Sequence, residues 1–237
     1  MTSDLSSYVY CPPSQLITDE ALCRALLAEA GAALWITGDG VPSATLLPTV
    51  WQGSCLLAHA SAHNEQFPIS DTPVPCRVVV QGPDAYVSPR WYPSVQSTEH
   101  GGSAKGRATG RAVGTWNYRQ VQIAGWLRVH HDVDRLRAEV IDQAQQFDAQ
   151  RIADGASDTP RGAWTPEEAP GPFLDAMLAG IVGLELEITE VVGRFKLSQN
   201  RTRADREGII AGLHERGRTR DLDVAAATAA ATPLYAR

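Results

Sequence analysis

The sequence predicts an α+β, mainly β fold: an antiparallel β-barrel with helices packed outside it. Strand-like segments outnumber helical ones and come in hairpin-length pieces. Two longer stretches, 115–129 and 181–195, alternate apolar and polar residues with the period of two that marks a half-buried strand. No GxGxxG follows a strand, no P-loop is present, and strands and helices do not alternate regularly, which argues against a dinucleotide-binding sheet.

The elements follow in order. Residues 1–17 read as extended chain broken by Pro12 and Pro13. Residues 18–31, TDEALCRALLAEAG, read as a short helix with Thr18 as N-cap, acids in the first turn, Gly31 closing it and Leu22, Leu26 and Ala30 on the inner face. Residues 32–51 read strand, Gly-Asp-Gly turn, strand, a hairpin signal, and SCLLAHA continues as a third short strand. CRVVVQGPDAYVSPRWYPS reads as a buried strand, a turn at Gly82-Pro83, then proline-punctuated backbone. Residues 96–114 are rich in Gly, Ala and Ser, carry Lys105, Arg107 and Arg111, and have no hydrophobic period; they read as a flexible insert, either a plain insertion or a lid whose cations meet a carboxylate or phosphate. The strand 115–129 turns Val121, Ile123, Leu127 and Val129 inward. A helix follows with Leu136, Val140 and Phe147 inside, then a short helix in PGPFLDAML. In GIVGLELEITEVVGRF, Val182, Leu184, Leu186 and Ile188 point inward. RADREGIIAGLHERG reads as a closing helix. One domain over 1–220 is expected, with residues 221–237 an Ala-rich tail, frayed or loosely helical.

Composition narrows the function classes. Apolar residues make up 43% and charged residues 20%, ordinary for a globular chain, and the net charge is −6, which disfavours a nucleic-acid binder. The four cysteines have no CxxC spacing and read as reduced, free thiols. There is no signal-peptide pattern and no apolar run of the roughly 20 residues a membrane span needs, so a cytoplasmic protein without membrane or nucleic-acid partners is expected.

Three groups of residues carry chemistry. His59 and His63 sit four positions apart in LLAHASAHNEQF, followed by Asn64 and Glu65. An imidazole beside Leu56 and Leu57 is either a satisfied core histidine or a metal ligand sheltered from water, and a ligand needs an acceptor on its other nitrogen, from Asn64, Glu65 or a carbonyl. His130 and His131, at a strand end, are expected to face solvent. KLSQNR places Lys196, Ser198, Gln199, Asn200 and Arg201 ahead of a helix, a donor set for a phosphate or a propionate. Tyr86, Ser88, Trp91, Tyr92, Trp116, Asn117 and Tyr118 offer flat faces and donors to a planar cofactor, or simply core.

Five stretches in order, YCPPSQL, LLAHASAHNEQF, QGPDAYVSPRWYPS, TWNYRQVQIAG and IVGLELEITEVVGRFKLSQNR, resemble the PaiB-type FMN-binding family, related to the pyridoxamine-phosphate-oxidase-like split barrels. The resemblance implies a split β-barrel (FMN-binding-like) homodimer with its cofactor at the subunit interface. Two departures stand out. The family's usual Thr-His-Leu-Pro is Thr45-Leu46-Leu47-Pro48 here, and the Gly-rich insert replaces a short connection. These departures make the chain similar to the haem-dependent piperazate synthase branch, which binds haem b and closes N5-hydroxy-L-ornithine into L-piperazic acid. That resemblance implies His59 as iron ligand. That chemistry needs a base, either Glu65 or a Lys or His of the insert, and a cation for the substrate carboxylate, Arg107, Arg111 or Arg201; His59, Ser88, Trp91, Tyr92, Trp116, Asn117, Lys196, Ser198, Gln199 and Arg201 are expected around the cofactor. An FMN-binding flavoprotein and a non-catalytic ligand-responsive regulator are the alternatives.

Overall fold

The computed structural model describes residues 9–38, 40–95, 112–155, 162 and 164–232. The insert at 96–111, with Arg107 and Arg111, lies outside them, so the lid expectation falls there too. Among the described residues eight strands are found: β1 Leu16–Ile17, β2 Ala32–Thr37, β3 Ser43–Pro48, β4 Val50–Gln52, β5 Cys55–Ser61, β6 Ser70–Val87, β7 Thr115–His130 and β8 Ile181–Lys196. Five α-helices accompany them among the described residues: α1 Glu20–Ala30, α2 Val133–Ala153, α3 Gly171–Ala179, α4 Arg203–Arg216 and α5 Thr219–Ala230. The sheet runs β3-β2-β6-β7-β8-β5-β4, with β1 added to β8, giving the mainly β half-barrel sheet that the alternating segments predict. No helix among the described residues is long and apolar enough to cross a membrane. The chain divides into two compact units, and each of the long strands β6, β7 and β8 contributes residues to both.

The first unit comprises Leu27–Val80 and Gln122–Val191. Its hairpin β2–β3 pairs Trp35 with Thr45 and Thr37 with Ser43, and the loop between is turned by Gly38 and Gly40 at φ 105° and 75°, values that glycine adopts without a Cβ clash. Trp35 is fully buried and satisfies its indole N–H on Thr49 Oγ1 at 2.9 Å. Strand β5 pairs antiparallel with β8, with Leu56 opposite Leu186, Ala58 opposite Leu184 and His59 opposite Gly183. The period of two puts Leu56, Ala58 and Ala60 in the core and turns Cys55, Leu57 and His59 to the other face. Helix α2 starts on an Asp132 N-cap, which accepts from Arg135 N, and buries Leu136 against Leu174 and Leu178 of α3.

The second unit comprises Tyr8–Leu26, Gln81–Val121 and Val192–Arg237. Ala85, Val87, Tyr92, Ile209, Leu213, Val224 and Ala225 form its core, so α4 and α5 both bury a face. Gly217, at φ 69°, closes α4 in the left-handed conformation and lets the chain turn into α5. Asp221, fully buried in the first turn of α5, accepts from Arg216 Nε at 2.7 Å and Nη2 at 2.6 Å and from Arg218 Nε at 2.9 Å. The flanking guanidinium of Arg216, joined by that of Arg218, holds its carboxyl far below the usual range.

Trp91 packs flat onto α4 where Gly212 leaves room; a Cβ there would stand 2.3 Å from the indole. Gly212→Ala is therefore expected to destabilise the chain by about 1–3 kcal/mol, outweighing the gain of roughly 1 kcal/mol in helix propensity, and to shift the denaturant midpoint downward together with the indole fluorescence.

Several expectations change. The Gly82-Pro83 turn is absent: β6 runs unbroken through it, because Gly82 admits Leu26 of α1 (Cδ1 2.6 Å from a would-be Cβ). The inner face of α1 is Cys23, Leu26 and Leu27, while Leu22 is 46% exposed and Ala30 is exposed. Asp19 rather than Thr18 accepts from the first turn, through Ala21 N. Of the tail expected to be frayed or loosely helical, the part up to Ala230 forms helix α5, held by Asp221 and by Arg206, which donates to the carbonyls of Thr228 and Ala231. The four cysteines are free; burial pushes the Cys23 thiol up to about 11 and the Cys76 thiol up to about 12.

Candidate functional site

In the first unit, His59 lies half-buried on the face of β5 that meets α2. Burial pushes its pKa below the ordinary histidine value, against the opposing pull of a side-chain hydrogen bond with Gln143 and the charge of Glu139. The ring is therefore neutral near pH 7, the form in which imidazole ligates a metal. The side chains that line the small cavity with His59 are Glu139, Asp142 and Gln143 of α2, and neither Asn64 nor Glu65, named from the local sequence, lines it. Asn64 and Glu65 lie in the turn beyond β5, where Asn64 Nδ2 donates to Thr45 Oγ1. His63 is exposed in that turn, so the two histidines do not share one helical face. Among the described residues no group of three or more His, Cys, Asp and Glu is placed to hold a metal ion, so His59 stands as a single-ligand candidate.

The sheet beside His59 holds a second imidazole. His130, expected at the surface, is largely buried, with 17% of its side chain exposed. Its ring lies on Gly183, where a Cβ would come within 2.2 Å of Nε2. Its Nε2 is 3.4 Å from Glu139 Oε2. Glu139 is also bound by Arg135 Nε at 2.7 Å, and Arg135 bridges on to Glu185, holding that carboxyl below its usual range. The missing side chain at Gly183, opposite His59, was the signal for a buried ring at this place; strand-end position alone could not give it.

Glu65 is exposed and lines a separate cavity of the first unit, of about 410 Å³. Its walls include Val74, Leu127 and Val129, with the hydroxyls of Ser43, Ser70 and Thr72. His59 does not line it.

In the second unit, Thr115, Lys196, Ser198, Gln199, Asn200 and Arg201 line a cavity of about 160 Å³ together with Ser14, Gln15 and Val113. Lys196 Nζ donates to Thr115 Oγ1 at 2.8 Å, and burial, helped by Arg194, lowers its pKa. Ser198 takes the left-handed conformation, φ 59°, and its hydroxyl donates to the fully buried Asn117 Oδ1 at 3.0 Å. Gln199 is spent on its own loop, accepting from Leu197 N and donating to Phe195 O. Arg201 is stacked 4.5 Å from the buried Tyr92 ring. The pocket presents two cations and hydroxyls, which suits a phosphate or carboxylate. Asn117 and Tyr92 support it from beneath. Thr115 is the member that sequence reasoning missed.

The remaining candidates have structural partners. Ser88 caps a 3-10 turn by accepting from Arg90 N at 3.2 Å, Trp91 is packed on α4, and Trp116, 46% exposed, donates to Asp84 Oδ1 at 3.0 Å.

Comparison with known proteins finds one family model, described as "Putative FMN-binding domain", matching residues 9–190. An uncharacterized protein of Aspergillus fumigatus is 29% identical over 175 residues, 70% of this chain and 63% of that one. The chain thus spans less than two thirds of that relative's length. The protease synthase and sporulation protein PAI 2 of Bacillus subtilis is 28% identical over 181 residues, 75% of each chain. Among solved structures, that of the FAD and heme binding protein from Mycobacterium smegmatis has a TM-score of 0.50 at 18% identity and covers 84% of this chain and 80% of that one, a likeness of fold.

Proposed function

Because the chain belongs to this family of FMN-binding domains, we propose that it works through a bound cofactor of the class that fold carries, that the cofactor is haem b ligated by His59, and that the reaction closes N5-hydroxy-L-ornithine into L-piperazic acid. The observation that carries the reading is the half-buried imidazole of His59 on the face of β5 that meets α2, where burial holds its pKa below the ordinary histidine value. Leu46, standing where the PaiB pattern has histidine, supports a departure from flavin binding. The fold itself accommodates haem, since the M. smegmatis protein of this fold binds both FAD and haem by its description.

His59 is the residue that would hold the iron, since a neutral imidazole is chemically able to do so. The cavity between His59 and α2, about 10 Å³, is far too small for a porphyrin, so the proposal requires a second copy of the chain to complete the site. Held by His59, haem would supply a Lewis-acidic iron to polarise an N–O bond.

The chain's own residues do the rest. The reaction forms one N–N bond between the α-nitrogen and N5 and breaks the N5–O bond; the hydroxyl leaves with one hydrogen of the α-amine as water, and no net oxidation occurs. The protein must hold a flexible zwitterion in a cyclic pose, an effect worth up to about 7–11 kcal/mol. It must also take up the α-ammonium proton. Glu65 is the proposed base. Arg107 and Arg111 are the proposed carboxylate grips. The Lys196–Arg201 pocket of the second unit offers the same recognition to a carboxylate.

A second reading is favoured by one feature: the same pocket suits a phosphate monoester, which FMN carries. The optical spectrum of the purified protein separates the two. A sharp Soret band that moves on adding N5-hydroxy-L-ornithine, with piperazic acid released, supports the haem reading. A yellow, fluorescent protein with no extractable porphyrin overturns it in favour of the flavin.

A further inference from the structure

We propose that Lys196 is a nucleophilic amine, and that the pocket it lines in the second unit takes small anionic carbonyl compounds of the oxo-acid class, which Lys196 captures as an imine. The chain uses arginine almost wherever it carries a cation: of its 21 Lys and Arg residues, only Lys105 and Lys196 are lysine. A site that needs only a permanent charge is served by arginine, and Arg201 stands in the same pocket. What lysine adds is an amine that can lose its proton and attack carbon. The surroundings of Lys196 favour that form. Its Nζ donates to the neutral Thr115 Oγ1 at 2.8 Å, and among the described residues no carboxylate lines the cavity. Burial, with Arg194 adding to it, lowers its pKa from the ordinary lysine value. Arg201, 4.5 Å from the centre of the Tyr92 ring, supplies the grip for a carboxylate. The cavity of about 160 Å³ is roughly five times a water's share of the liquid, which suits a short oxo acid and excludes a large ligand.

The step balances without an oxidant. The Lys196 lone pair forms the N–C bond as the carbonyl π pair moves to oxygen, and one nitrogen proton passes to that oxygen. The hydroxyl then leaves with the second nitrogen proton as water, giving C=N. The capture draws on neither His59 nor haem. Glyoxylate with cyanoborohydride tests it, because reduction fixes the imine as carboxymethyl-lysine and peptide mass spectrometry reads its position. At neutral pH Lys196 is expected to be labelled about tenfold faster than Lys105, the worth of one hydrogen bond to a charged group. Acetaldehyde lacks the carboxylate, so the ratio of Lys196 to Lys105 labelling should fall with it. Labelling of Lys196 should also persist to lower pH than that of Lys105, since a depressed pKa keeps its amine neutral there. Arg201→Gln should bring the glyoxylate ratio down to that of acetaldehyde, with circular dichroism unchanged. In the unaltered chain, Lys196 labelled no faster than Lys105, equal ratios for the two aldehydes, or one pH profile shared by both lysines would overturn the proposal.

Discussion

His59→Ala is expected to abolish haem loading: the Soret band disappears from protein purified with haem supplied, and turnover of N5-hydroxy-L-ornithine goes with it. The effect is large because, among the described residues, no other histidine is placed to substitute. His63 is exposed in the turn after β5, His131 is exposed, and His130 is packed onto Gly183 with Glu139 at its Nε2. The fold should survive. The ring is only half-buried, so its removal leaves little of the core unfilled. Circular dichroism and the denaturant midpoint should stay close to wild type, so lost colour reports lost ligation. Full retention of haem and of turnover in a folded variant would remove His59 from the iron.

The second large effect concerns stability. Asp221→Asn is expected to lower the stability of the chain by about 3 kcal/mol, the low end for breaking a buried pair, because Arg216 and Arg218 keep part of their surface in water. The loss should depend on pH in one direction. The folded-state pKa of Asp221 is depressed, so its contribution is complete above the unfolded value near 4 and declines as pH falls toward the folded one. The gap between wild type and variant, read from urea midpoints, should therefore narrow from about pH 4 downward and stay constant above it. A gap that widens in acid would show that another group governs.

Much of the fold was legible because its signals are local. The β2–β3 hairpin, the alternation in β7 and β8 and the Gly217 stop of α4 depend on neighbours in sequence, and each is where the pattern puts it. The failures have a common cause in distant partners. Gly82-Pro83 has the composition of a turn, yet the glycine serves the approach of Leu26. The Ala-rich segment has weak helix-specific patterning, yet Thr228 receives Asn117, and Arg206 donates to the carbonyls of Thr228 and Ala231.

The site divides in the same way. Lys196, Ser198, Gln199 and Arg201 are contiguous and do surround one pocket. The neighbours of His59 come from 80 residues further on, at Glu139 and Gln143. Gln143 was still detectable, since 136, 140, 143 and 147 fall on one helical stripe and a polar residue there asks for a reason.

The helix at 219–230 has a consequence for how the protein is made. Tyr92 finds Val224, and Asn117 finds Thr228, 111 residues further along, only after that much more chain has been synthesised. On a growing polypeptide the apolar face around Val87 and Tyr92 must wait, open to chaperones and to other nascent chains, while the segment that will cover it does not yet exist.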